Sequence, residues 1–131
     1  MANDNFFDKK DELKTKADEG DIIACAELGA QYITGCDRPA NERLGLHYIE
    51  KAAEAGYAAS CLYLARHYHM KGKPDDSVKY IQLAFEHKDD LSYDVPGSYS
   101  QKQVIKVIES FLKQHPEIRP AEDTLNPGLS K

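Results

Sequence analysis

The sequence predicts an all-α protein: two helix-pair repeats set between an N-terminal capping helix and a C-terminal closing helix. Three observations lead there. The chain matches itself at a fixed offset, its apolar residues recur three and four apart, and small residues stand inside the helical stretches. A shift of 36 superposes Gly20 on Gly56, Ala24 on Ser60, Cys25 on Cys61, Leu28 on Leu64, Gly29 on Ala65 and Tyr32 on Tyr68. A shift of 32 then superposes Tyr48 on Tyr80, Ile49 on Ile81, Ala52 on Ala84 and Glu54 on Glu86. The change of offset places a four-residue length difference between Cys36–Asn41 and Gly72–Asp75. Connections absorb such a difference and helices do not.

Each half-repeat reads as one helix. The first carries Ala24, Leu28 and Tyr32, and its counterpart carries Ser60, Leu64 and Tyr68. The partner helices carry Leu44, Tyr48, Ile49, Ala52 and Ala53, then Val78, Ile81, Ala84 and Phe85. Gly35 and Gly72 are placed to end the first helices in a left-handed conformation. Asn41 and Asp75 are expected to cap the second ones, with Pro39 and Pro74 just upstream. Glycine within a helix costs roughly 1 kcal/mol relative to alanine. Gly29 and Gly45, with Ala65 and Ser77 as counterparts, therefore point to helices crossing at close range.

These stretches resemble the Sel-one-like repeat family, a relative of the tetratricopeptide repeats. The resemblance rests on Ala24-x-x-x-Leu28-Gly29-x-x-Tyr32-x-x-Gly35 and on Ala52-Ala53-x-x-Gly56. The second copy departs from the pattern at Ala65, Phe85 and Lys88, and the similarity spans about residues 20–88. It implies a short right-handed α-α superhelix of about two repeats. It also implies that the first helix of each repeat lines a concave binding groove. By that implication the groove shows Ile23, Glu27, Ala30, Gln31 and Thr34 from one copy, and Ala59, Tyr63, Arg66, His67 and Met70 from the other.

The flanks close the array. Residues 1–19, with Phe6, Phe7, Leu13 and Ala17, fit a capping helix whose Ala17-x-x-Gly20 ending echoes Ala53-x-x-Gly56. Residues 20–55 and 56–88 are the repeats, and 89–99, containing Pro96-Gly97, reads as a loop. Ser100-x-x-Gln103 is a capping box opening a closing helix within 98–115, which presents Val104, Val107, Ile108, Phe111 and Leu112 and stops before Pro116. Residues 1–115 are thus expected to form one domain and 116–131 an extended or disordered tail.

The 131 residues carry net charge −5, and the excess is uneven. Residues 1–56 hold 7 basic and 12 acidic groups, whereas 57–131 hold 10 of each. That balance lacks the basic footprint of a nucleic-acid or anionic-membrane surface. No apolar run approaches the ~18 residues of a membrane span. The opening Met1-Ala2-Asn3-Asp4-Asn5 has no secretory pattern, so a cytoplasmic protein is expected. Cys25, Cys36 and Cys61 are odd in number, without metal-ligand spacing, and read as free thiols.

No phosphate loop, nucleophile elbow or histidine-pair metal helix occurs. His67 and His69, two apart on a helix, point about 200° from each other. The expected function is a non-enzymatic, monomeric protein-interaction module without cofactor, whose partner is another protein or peptide. One form of it is a small immunity or inhibitor protein whose acidic first half meets a basic toxin. An adaptor or chaperone-like scaffold fits the same features, and an oligomerisation unit is a further possibility. The alternative of another class is a metal-dependent regulator or enzyme using His67, Cys61 and His47.

Overall fold

The computed structural model describes residues 12–94 and 97–118; Phe6, Phe7 and the expected tail beyond residue 118 lie outside the described residues. The described residues are all-helical, with no strand among them. Helix α1 covers 12–18, α2 Ile22–Thr34, α3 Glu42–Glu54, α4 Ala58–Met70, α5 Pro74–Glu86 and α6 Gln101–Gln114. The chain forms two compact units, residues 1–52 and 53–131.

In the first unit, Asp21 caps α2 by accepting the Ala24 N–H at 3.0 Å. Gly35, at φ 76°, ends the helix as its sequence position predicts. Asn41 caps α3 by accepting the Leu44 N–H at 3.1 Å. The two helices meet at their glycines. A Cβ on Gly29 would stand 2.5 Å from Ile49 Cγ1 and 2.9 Å from the Gly45 carbonyl oxygen. One on Gly45 would stand 2.7 Å from the Ile33 side chain and 3.0 Å from the Gly29 carbonyl oxygen. Both sites are filled to contact by the facing helix, which is why glycine is retained there despite its helix cost. Beyond the crossing the Tyr32 and Tyr48 rings stack, with centroids 6.1 Å apart. Tyr48 then donates its hydroxyl to Asp18 at 2.7 Å, and Lys14 pairs with the same carboxylate at 2.8 Å. These two bonds, Lys14 first, hold the Asp18 carboxyl below its usual range and fasten α1 to α3.

The second unit repeats this geometry with different chemistry at the crossing. Ala65 and Ser77 replace the two glycines, and the Ser77 hydroxyl donates to the Ala65 carbonyl at 2.6 Å. Tyr68 and Tyr80 stack at 5.9 Å in the same arrangement as Tyr32 and Tyr48. The Cys61 thiol donates to the Ala53 carbonyl at 3.4 Å, as Cys25 does to Ala17 at 3.3 Å. The Lys73 N–H bonds Tyr68 O at 2.8 Å, as Asn41 N–H bonds Tyr32 O across the longer connection. These bonds match at the offsets of 36 and 32 that relate the two copies in sequence.

Helix α6 closes the second unit through a buried polar side chain. Gln101 is 2 % exposed; its carboxamide accepts the Ala58 N–H at 2.8 Å and donates to the carbonyls of Gly56 and His87 at 2.9 and 3.0 Å. It thereby ties the start of α4 to the end of α5. The His87 ring occupies the place where a side chain on Gly56 would go, and Gly56 sits at φ +94°, so any other residue there is both strained and blocked. The Ser100–Gln103 capping box is formed in both directions.

Five expectations need correction. Asp75 does not cap α5: Pro74 is already its first residue, and Lys73 holds the cap position without a side-chain bond. Asp75 and Asp76 instead lie in the first turn, where acids suit the helix dipole. Ile105 is buried in place of Val107, which is 43 % exposed, and Leu44 is likewise surface-exposed. Within 89–99, Leu91–Tyr93 forms a 3-10 turn, whose Tyr93 donates to the Ala55 carbonyl at 2.8 Å and meets the Tyr57 ring edge-on. Finally, the segment after Pro116 does not begin as free tail, because Ile118 is 3 % exposed and its N–H bonds the His115 carbonyl at 2.9 Å.

The glycine crossing generates a direct test. Gly29→Leu drives a side chain into Ile49 and the Gly45 backbone and is expected to cost on the order of 1–3 kcal/mol or more. Glu27→Ala, on the exposed side of α2, is expected to cost within about 0.5 kcal/mol. Urea unfolding of both variants checks the difference.

Candidate functional site

The ten residues expected to face a partner fall into two sets, five on α2 and five on α4, and each set belongs to one unit. On α2 the buried face is Ala24, Cys25, Leu28 and Gly29. Glu27, Ala30 and Thr34 are exposed, whereas Ile23 and Gln31 are half-buried. Two of the five have internal partners. Gln31 accepts the Arg38 Nε–H at 2.8 Å, and the same guanidinium lies 5.3 Å from the Tyr32 ring centre. Thr34 donates its hydroxyl to the Ala30 carbonyl at 2.9 Å and accepts the Cys36 N–H at 3.2 Å. Gln31 and Thr34 therefore also shape the α2–α3 connection, and the freer positions are Glu27 and Ala30.

On α4 the buried face is Ala58, Ser60, Cys61, Leu64 and Ala65. Tyr63 and His67, one turn apart, stack with their rings nearly parallel and centroids 6.2 Å apart. The Arg66 guanidinium lies 5.9 Å from the Phe111 ring centre, so this residue reaches toward α6 while remaining exposed. Met70 is 85 % exposed. Ala59 departs from the other four: it lines an open cleft of about 670 Å³ with Tyr57, Tyr99, Gln103 and Val104. Tyr99, 76 % exposed, was not in the expected set. The signal for it was a large aromatic side chain directly after Pro96-Gly97-Ser98. Aromatic, arginine and methionine side chains are the types enriched where proteins meet.

Of the alternative set His67, Cys61 and His47, the first two lie in the second unit and His47 in the first. Cys61 is fully buried, and burial pushes its thiol pKa up to about 12, far from the thiolate that ligates metals or attacks substrates. Cys25 is raised by burial in the same sense. His67 packs on Tyr63 and edge-on against Tyr68, and His47 edge-on against Tyr48. Among the described residues, the metal-ligating side chains that do come together are His69, His115 and Glu117. No local spacing marks them in the sequence, since His115 and Glu117 follow His69 by 46 and 48 residues.

The thiols supply a prediction. Cys36 is exposed, and Cys25 and Cys61 are buried. A thiol-specific reagent is expected to modify Cys36 alone in the native protein and all three residues in denaturant. A Cys61 pKa raised in the fold keeps that thiol protonated, so its contribution to stability is present below about 9, the ordinary value, and is lost as pH rises from there toward about 12. Urea midpoints measured at rising alkaline pH are expected to fall, and Cys61→Ala is expected to reduce that slope.

No protein-family model matches the chain, and comparison with curated proteins and with solved structures gives no match to either.

Proposed function

We propose that the chain is a non-enzymatic protein-interaction module of the Sel-one-like kind, in which the repeats stack as a short right-handed α-α superhelix and α2 and α4 present the binding residues. One observation carries this reading. At the repeat offset of 36, the buried positions pair like with like: Ala24 with Ser60, Cys25 with Cys61, Leu28 with Leu64, Gly29 with Ala65. The five outward pairs differ without exception: Ile23 and Ala59, Glu27 and Tyr63, Ala30 and Arg66, Gln31 and His67, Thr34 and Met70. A scaffold that is kept while its outward residues diverge is what a recognition surface requires, since specificity lies in the side chains that meet the partner.

The partner this surface favours is a protein with a basic face. Residues 1–56 carry the whole negative excess, and complementary charge accelerates encounter and suppresses wrong partners. A small cytoplasmic immunity or inhibitor protein covering a basic active site is the most concrete form of such a module. Tyr63 and Met70 then act as apolar anchors on α4. The cleft at Ala59 and Tyr99 extends the outward side of α4 toward a second aromatic anchor.

The test is calorimetric titration against the partner isolated from the native source. Tyr63→Ala and Arg66→Ala are each expected to weaken binding by about 2 kcal/mol or more, with little change in melting temperature. Lys102→Ala and Lys106→Ala, exposed on α6, are the matched controls and are expected to leave affinity unchanged. Unchanged affinity for both α4 variants would move the interface to the acidic N-terminal segment.

A further inference from the structure

His69 lies in the last turn of α4, His115 is the residue that ends α6, and Glu117 follows two residues later. Local structure brings the three together. The His115 N–H bonds the Leu112 carbonyl at 3.2 Å, Pro116 restricts the backbone beyond it, and the Ile118 N–H returns to the His115 carbonyl at 2.9 Å. Ile118 is buried, so this turn is anchored on both sides of Glu117. Phe111, 4 % exposed, supports both rings: it meets His69 edge-on at 5.9 Å and His115 at 4.6 Å between centroids.

The donor atoms converge on one oxygen. His69 Nε2 and His115 Nδ1 each stand 3.4 Å from Glu117 Oε2, the imidazole centroids are 4.3 Å apart, and one ligand atom from each residue falls within a 4.8 Å set. Around a tetrahedral zinc with bonds of about 2.0–2.1 Å, neighbouring ligand atoms are separated by about 3.3–3.4 Å. Two of the three separations required are already present, and the third lies within 4.8 Å. We propose that His69, His115 and Glu117 form a zinc-binding site that clamps the turn after α6 onto the end of α4.

The donor set selects the metal. Two imidazoles and one carboxylate suit Zn2+ and its borderline neighbours, whereas Mg2+ and Ca2+ require mainly oxygen ligands. Three protein ligands leave a fourth tetrahedral position for water or for a side chain of another molecule. The two histidines belong to elements already packed within the second unit, so the metal adds a third fastening there beside Gln101 and the Ser77–Ala65 bond. This inference is independent of the interaction surface, because none of its three residues is among the ten outward positions.

Metal titration of the untagged full chain, stripped with chelator, tests the proposal. Zinc chloride followed by calorimetry is expected to bind at one ion per chain and to raise the melting temperature, since a ligand held only by the folded state stabilises it. Cobalt(II) in its place is expected to give the intense visible absorption of a tetrahedral site, abolished by added zinc. His69→Ala, His115→Ala and Glu117→Gln are each expected to weaken zinc binding on the order of tenfold or more. His47→Ala and His67→Ala are expected to leave it unchanged. Glu117→Gln keeps the fold intact, as its side chain is 56 % exposed, and so reports on ligation alone. Absence of stoichiometric zinc, or equal losses in His67→Ala and His69→Ala, would overturn the site.

Discussion

Close approach of paired helices at small residues is the constraint on which the rest of this structure depends. In the first unit the approach is set by Gly29 and Gly45, whose side-chain space is taken by Ile49 and Ile33 respectively and by each other's carbonyl oxygen. In the second it is set by Ala65 and Ser77, where a hydroxyl-to-carbonyl bond replaces part of the lost contact. Either solution brings the backbones near enough for a tyrosine of one helix to stack on a tyrosine of the next. The stacked rings, together with Leu28, Ile49, Leu64 and Ile81, exclude water from the pair. The crossings are made by Gly29, Gly45, Ala65 and Ser77 and not by the outward positions, of which Arg66 still reaches Phe111 on α6 and Gln31 holds Arg38.

Closure of the second unit uses a different device. Gln101 places an amide, able to donate twice and accept, at a point where one N–H and two carbonyls from separate elements converge. Removing it would leave those backbone groups unsatisfied in the interior, at roughly 1–3 kcal/mol for each group. Tyr93 reinforces the same region by donating to Ala55 beside the turn that Gln101 holds. The fold is thus fastened at its end by polar contacts and within each helix pair by packing.

Much of this was legible in the sequence, and the gaps have physical reasons. The repeat offset located Cys25 and Cys61, which make equivalent thiol-to-carbonyl contacts, and the Ser100-x-x-Gln103 spacing located a capping box that is present. Gln101 was missed because a glutamine at a helix start is ordinarily solvated. At about 100° per residue, however, it falls amid Val104, Ile105, Ile108 and Phe111, while Val107 falls outside that face. Asp75 misled because an acid near a helix start serves either as cap or as first-turn charge, and Pro74 decides between them. His69, His115 and Glu117 were invisible for another reason: only the packing of α6 against α4 sets residues 46 and 48 positions apart side by side. Local pattern reports local structure, and this cluster is made by tertiary contact.

The central claim is that both repeats are one scaffold carrying two different surfaces. It is tested most directly by the urea unfolding of a chain in which the α2 surface is given the residues of α4: Ile23→Ala, Glu27→Tyr, Ala30→Arg, Gln31→His and Thr34→Met together. If the claim holds, unfolding stays cooperative with an unchanged denaturant slope, and the cost is confined to the half-buried Ile23 and the local bonds of Gln31 and Thr34, on the order of 2–4 kcal/mol in total. A lost or broadened transition would show that these residues hold the helices together, and would contradict the separation of scaffold from surface.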